Sequence, residues 1–542
     1  MRALMKGHPS MIRKMLLWWM LALAIVAGGP AAADQPGKLG LIKAQQAQAA
    51  AANTLLYNRL TALASAAAVR NLVDAKPLTP SPAWQPSTTY TGGQVVLNAG
   101  NLYVCSQGGT SAASGGPTVV TDGDAHVDGT AYWEYLGAPE VTTADPEAPA
   151  YSLVSSVPAD LNTGDLRPNF AQLRMYGATP QATATNKWLM PVYNVNASTV
   201  EYSKGSFVAF DTDSQKFAVE QVAGTPGIRV AINGRYYSLG ALAAPATTQY
   251  HVFDFTANGG RRVRHILIDY GRGSTGNGGV VGRVYFPVKA SIWKPAAGND
   301  LRAAFVADSF FDGSIYGPSL PGNTTSNIIS RLLGWADPWN FSKGGTGWMN
   351  PGAGGAAPFY TYRQRLPQVL AKNPDVIVFM DGGNDYTYAP ADVQSEVTAS
   401  LQTVRASGSK ALIVVIGCNS FNRVNLDVTE DAMAAGVAAF NDPLKRTFFI
   451  PIVRDPILPW ITGTWNNANA PGSNNSAYYV GGDNIHPPEI GTSYLGQRMA
   501  RGISETVYPK LLSAVPTGAL DWRDLPHAPA NDNGIMPRQM AG

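Results

Sequence analysis

The sequence predicts a doubly wound α/β domain at the C-terminal end, preceded by an all-β sandwich and a smaller β module. Three observations lead there. Beyond Asp300 the apolar runs LRAAFVAD, PDVIVFMD, KALIVVIG and RTFFIPIV alternate with helical stretches, the signature of strands buried on both faces of a parallel sheet. From 150 to 295 the segments are short and alternating, and Asn233-Gly234 between two of them is a strong hairpin signal. Residues 82 to 138 are turn-rich and aromatic. A chain of 542 residues with 45% apolar content is globular and too long for a single core.

The N-terminus has the parts of a secretory signal: a basic start, the apolar run MLLWWMLALAIVA from Met15 to Ala27, and small residues suited to cleavage after Ala33. The run is too short for a comfortable span, so the reading is export to the periplasm or medium, with no membrane span after cleavage; an uncleaved anchor is the alternative. The formal charge of +3 includes Arg2, Lys6, Arg13 and Lys14, and removing those four leaves about −1 for the rest. A chain without basic excess lacks the footprint for phosphate backbones, which excludes nucleic acid as a partner. Cys105 and Cys418 read as ordinary small residues, neither a bridge nor a metal site, and no zinc-like spacing occurs. No metal and no cofactor is expected.

Residues 39 to 76 are rich in Ala, Leu and Gln and read as helix, with Leu56, Leu60, Leu63 and Ala67 at helical spacing for packing on the body or for self-association. KPLTPSP then marks a linker. The unit 82–138 resembles the small chitin-binding modules of bacterial chitinases through Trp84, Tyr90, Gly93, Val95, Gly100, Tyr103 and Trp133. VCSQGG stands where such modules carry an exposed tryptophan pair, and a structural spacer is the alternative. The sandwich is expected over 150–295, where His251 and His265 read as packing or surface residues.

Helical stretches near 323–333, 360–371, 391–406, 429–440 and 493–508 separate the runs after Asp300. Ligands of such a sheet sit at the carboxyl ends of its strands, and Ser309 follows the first one. The only histidine between 300 and 510 is His486, in GGDNIHPPEIG, with Asp483 three residues before it. That spacing lets the carboxylate orient the imidazole while the ring takes the serine proton. Asn384, in FMDGGNDYTY, and Gly345, in NFSKGGTGW, can donate hydrogen bonds to a developing oxyanion, with Gly344 as the other candidate glycine.

Four pieces now share one pattern. Residues 300–512 resemble the SGNH, or GDSL-type, hydrolases: Ala307-Asp308-Ser309 match the first block, the turn 340–347 the second, Gly382-Gly383-Asn384-Asp385 the third, and Asp483-Asn484-Ile485-His486 the last. The first block departs at Ala307 and Phe310. The resemblance implies a flavodoxin-like three-layer α/β fold. It also implies a serine esterase with catalytic Ser309, His486 and Asp483, an oxyanion hole of Ser309, Gly345 and Asn384, and no metal. Trp348, Tyr386, Trp465 and Tyr478 are candidates for stacking on sugar, with loop packing as the alternative. A sandwich ahead of the catalytic part also resembles the domain order of exported carbohydrate acetylesterases.

The expected function is removal of O-acetyl groups from a polysaccharide: xylan, another glycan or peptidoglycan. The alternatives are a lipase or thioesterase, a polysaccharide O-acetyltransferase, and a glycan-binding surface protein without activity. The sequence carries no signal for an oligomeric state, and the Pro- and Asn-rich tail 513–542 reads as irregular, with His527 a surface residue.

Overall fold

The computed structural model describes residues 47, 48, 50–64, 76–161 and 172–513, except 121–124, 180, 183–187, 190–205, 225, 226, 243–245, 271–279, 296–299, 315, 321, 353–359, 420–424, 456–459 and 464–473. The expected signal segment 1–33, the tail beyond 513 and Trp465 lie outside the described residues. Residues 57–511 form one compact unit, and 1–56 with 512–542 form another. Among the described residues no helix is long and apolar enough to cross a membrane.

Within the expected helix 39–76, residues 50–64 are helical. Leu60 is fully buried. Leu63 lies against Gly334, where an added methyl would fall 2.4 Å from the Leu63 carbonyl oxygen.

In the aromatic unit, Val95–Asn98, Asn101–Gln107, Ala131–Gly137 and His126–Asp128 make a four-stranded antiparallel sheet in that order. Alternation sends Tyr103, Cys105 and Trp133 to one face, where they pack with Tyr90 and Val96. It sends Val95, Leu102 and Val104 to the other, where Leu239 and Leu320 cover them. Tyr103 and Trp133, which carry the resemblance to sugar-binding modules, are therefore interior, at 1% and 0% exposure. Trp84 donates through Nε1 to Asp128 at 2.8 Å, and an added methyl on Gly116 would stand 2.9 Å from its ring.

Between 150 and 295 two antiparallel sheets share one apolar core. Phe217, Val219, Phe253 and Val284 enter it from one sheet, and Val208, Phe210, Val230, Ile266 and Ile268 from the other. The Asn233-Gly234 turn joins Ile228–Ile232 to Arg235–Tyr236 with φ of 51° and 86°, the positive values a tight hairpin needs. His251 is buried between Tyr151 Oη and Gln221, and His265 pairs with Asp211 at the surface. Both histidines have packing or surface roles.

After Asp300 the strands β1 (Arg302–Val306), β2 (Asp337–Asn340), β3 (Val376–Met380), β4 (Leu412–Ile416) and β5 (Thr447–Ile450) form a parallel sheet in the order 2-1-3-4-5. This is the flavodoxin-like order, whose chain direction switches between β1 and β3. Every residue of β3 and β4 is buried, as their continuous apolar runs require. Among the helices are α1 (Ser309–Asp312), α2 (Thr325–Leu333), α3 (Tyr362–Leu370), α4 (Pro390–Ala406), α5 (Leu426–Phe440), α6 (Ser476–Tyr479) and α7 (Glu489–Gly502). The last begins at Glu489, earlier than its expected start at 493, directly after the pair Pro487-Pro488. Proline fits the start of a helix because its missing N–H is one the first turn leaves unpaired anyway.

Candidate active site

Ser309 is the first residue of α1, at the carboxyl end of β1. Asp308 caps this short helix, accepting the Phe310 N–H at 2.9 Å. The Ser309 Oγ lies 2.8 Å from His486 Nε2. The other ring nitrogen, Nδ1, is hydrogen-bonded to Asp483 Oδ2. Asp483 Oδ1 accepts the backbone N–H groups of Ile485 and His486 at 3.0 and 2.9 Å, which closes the loop into a tight turn. Burial pushes the Asp483 carboxyl up, but the bonds from the His486 ring and from these N–H groups outweigh it and hold the group below its ordinary range.

The serine turn is tied down by acids the sequence reading passed over. Asp312 accepts the Gly344 N–H at 2.7 Å, which removes Gly344 as a free donor. Gly345, at φ 77°, keeps a backbone shape that favours glycine, and a Cβ there would meet nothing within 4 Å. Among the described residues neither the Ser309 N–H nor the Gly345 N–H is bonded to a protein acceptor. Asn384 differs. Its Nδ2 has two acceptors at 2.9 Å, Asp308 Oδ2 and Thr346 O, one for each of its hydrogens.

Beneath these donors Asp308 and Asp381 are buried together. Asp381 Oδ1 accepts the N–H groups of Gly382, Gly383 and Asn419 at 2.7, 2.6 and 3.2 Å. Burial first, and then the neighbouring Asp381 charge, push Asp308 well above the usual carboxylate range, and burial also raises Asp381. Two buried acids side by side disfavour ionising together. The guanidinium of Arg365, wholly buried, donates to Ala307 O at 2.9 Å and to Phe341 O at 2.5 Å, fastening the ends of β1 and β2 together. Asp385 accepts the N–H groups of Trp348, Met349 and Asn350 at 2.8, 3.0 and 2.8 Å, and burial pushes its carboxyl up to about 6.

Ser309, Gly345, Asn384, Asp483 and His486 line one cavity of about 410 Å³, with Phe310 and Ile485 as apolar wall. The expected catalytic and oxyanion residues thus come together at the β1/β3 switch point. The expected sugar-stacking residues do not. Trp348 is fully buried, its ring stacked on Phe379 at 5.1 Å and tilted against Tyr362 at 5.0 Å, so it is a core residue and that expectation is corrected. Tyr386 packs against the same core, and Tyr478, on α6, is 45% exposed; neither lines the cavity. An aromatic directly after a site block carries no signal in the sequence for which way it faces. Asp312, Asp381 and Arg365 leave no signal in the sequence because their importance lies in burial and in partners far along the chain. Among the described residues no group of His, Cys, Asp and Glu is placed to hold a metal ion.

No protein-family model matches the chain. No curated protein matches it either. Among solved structures it is similar to a family two carbohydrate esterase from Cellvibrio japonicus, at 12% identity and a TM-score of 0.42, over 67% of this chain and 99% of that one. A family two carbohydrate esterase from Clostridium thermocellum, solved in complex with cellohexaose, is similar at 15% identity and a TM-score of 0.44, over 62% and 99%. A salicylyl-acyltransferase from a tetracycline biosynthetic pathway is similar at 14% identity and a TM-score of 0.44, over 65% and 98%.

Proposed function

We propose that this chain is an exported serine esterase of SGNH type that removes O-acetyl groups from a polysaccharide. The observation that carries the reading is the relay from Ser309 Oγ to His486 Nε2 at 2.8 Å and on from Nδ1 to Asp483, opening into a cavity that holds two unpaired backbone N–H groups. In this reading residues 1–33 are the signal, 82–138 a small β module, 150–295 a β-sandwich and 300–512 the hydrolase domain.

Ser309 attacks the ester carbonyl as His486 takes its proton, and the ionised Asp483 stabilises the imidazolium. The carbonyl oxygen, gaining charge, is held by the N–H groups of Ser309 and Gly345; Asn384 joins them when its amide exchanges Thr346 O for the oxyanion. The upward push on the Asp308 carboxyl favours this step, because an ionised carboxylate beside Ser309 would oppose the charge that develops on the oxyanion. His486 then protonates the leaving sugar hydroxyl, and water repeats the sequence to release acetate and free Ser309. A cavity of about 410 Å³ with Phe310 and Ile485 at its wall has room for an acyl group beside Ser309.

The test is hydrolysis of 4-nitrophenyl esters from acetyl to octanoyl by the secreted protein, with Ser309→Ala as control. The expected result is activity concentrated on acetyl and lost in the variant. Equal or better turnover of octanoyl would put a lipase or thioesterase in its place.

A further inference from the structure

A hydrogen bond joins the small β module to the segment that carries His486. Glu134, in the strand Ala131–Gly137, is 1% exposed, and its Oε2 accepts the Glu489 N–H at 2.9 Å across 355 positions of sequence. Glu489 opens α7 three residues after His486, and the two residues between are prolines with no N–H to give. The helix has no side-chain cap of its own. An N–H in the first turn of a helix has no acceptor within the helix, and a carboxylate is the acceptor the helix dipole favours.

The Glu489 side chain completes a knot. Its Oε2 accepts the N–H groups of Ser319 and Leu320 at 2.6 and 3.2 Å, and its Oε1 accepts Asn323 Nδ2 at 2.9 Å. Leu320 packs in turn against Val95, Leu102 and Val104 of the module. On the far side of the prolines, the His486 carbonyl accepts the Gly481 N–H at 2.8 Å. The passage is tight: a methyl on Gly317 would stand 3.1 Å from the Glu489 nitrogen. The histidine turn is therefore held at one end by its own hydrogen bonds and at the other by a residue of a different part of the chain.

We propose that the module 82–138 is a positioning element of the hydrolytic site, and that Glu134, by holding the Glu489 N–H, keeps His486 in register with Ser309. This rests on the reading of His486 as general base. Glu134 touches no reacting atom; it is a positioning residue, and the aromatic residues that resemble a sugar-binding surface form the core that makes its strand rigid.

The test compares full-length wild type, Glu134→Ala and Glu134→Gln by turnover of 4-nitrophenyl acetate and by hydrogen–deuterium exchange. Glu134→Ala is expected to lower kcat by about 10- to 100-fold with KM within about twofold, the size of loss that misplacing a catalytic group produces. Glu134→Gln, whose amide oxygen still accepts the N–H, is expected to stay within about threefold of wild type. In the exchange experiment Glu134→Ala should release the amides of 483–492 while β3 and β4 keep their protection. Unchanged kcat in Glu134→Ala overturns the proposal, and so does a loss fully matched by loosening of β3 and β4 or one that Glu134→Gln does not rescue. The exchange comparison is repeated on a Ser309→Ala background. If the wild type hydrolyses no ester, the esterase reading fails, and the hold of Glu134 on the histidine turn is still decided by those amides.

Discussion

The histidine turn and the serine turn each bring an aspartate to the same cavity, and they treat it in opposite ways. Asp483, partly open and bonded to the His486 ring and two backbone N–H groups, is held ionised. Asp308, adjacent in sequence to Ser309, is buried beside a second acid, and its carboxyl is pushed well above the usual range. On the proposed mechanism the contrast matches what each turn has to do: one stabilises a positive imidazolium, and the other does not repel a negative oxyanion. Environment assigns these roles to two residues of the same type.

The largest effect expected from breaking this contrast is at Asp483. Asp483→Asn keeps the shape but offers an N–H where the ring needs an acceptor, so His486 takes the wrong tautomer. The expected loss in kcat on 4-nitrophenyl acetate is about 10⁴-fold, with little change in KM. Stopped-flow or steady-state turnover with the purified variant measures it. A loss of tenfold or less would mean that His486 is oriented by the loop alone.

A smaller effect, about 3 kcal/mol, is expected in stability at Asp385, a buried acid in the turn after β3. Burial raises its carboxyl from 3.8 to about 6, so the fold prefers the protonated form. Its contribution is complete below about pH 4 and is lost as pH rises through about 6. Wild type should therefore lose about 3 kcal/mol relative to Asp385→Asn between pH 4 and pH 7, read by urea denaturation at steps across the window. Asp483 runs the other way. Its lowered carboxyl stabilises the fold above the unfolded value and loses that contribution only as the solution becomes more acid.

The sequence made Asp483 legible and hid the surroundings of Asp308. Asp483 announces itself because its partner is three residues away, so a tight turn is enough to join them. The strands around the site were equally legible, since continuous apolar runs at β1, β3 and β4 need burial on both faces whatever lies beside them. Asp308 was visible only as part of a motif. The upward push on its carboxyl comes from burial and from Asp381, 73 positions on, which no local pattern encodes. Trp348 failed for the same reason in reverse: its position after a glycine turn suggested exposure, and the ring instead fills the core between Tyr362 and Phe379. The Glu134 contact spans 355 positions and has no local trace.

The smallest expected effect is the one that sharpens the contrast most, the substitution Asp308→Asn. If Asp308 is neutral throughout the cycle, an amide of the same shape can replace it. The oxygen in the place of Oδ1 still accepts the Phe310 N–H, while the nitrogen in the place of Oδ2 meets the Asn384 amide as a second donor. What is lost is the acceptor for one Asn384 hydrogen, now 2.9 Å from Asp308 Oδ2. A single neutral bond beside a cavity is worth about 1 kcal/mol, so kcat should fall by less than about tenfold. Asp308→Ala removes the helix cap as well and should cost the fold about 1 kcal/mol more. If Asp308→Asn instead lost as much activity as Asp483→Asn, Asp308 would have to carry charge during turnover. The two turns would then be alike, and the oxyanion would form against a carboxylate rather than above a neutral acid.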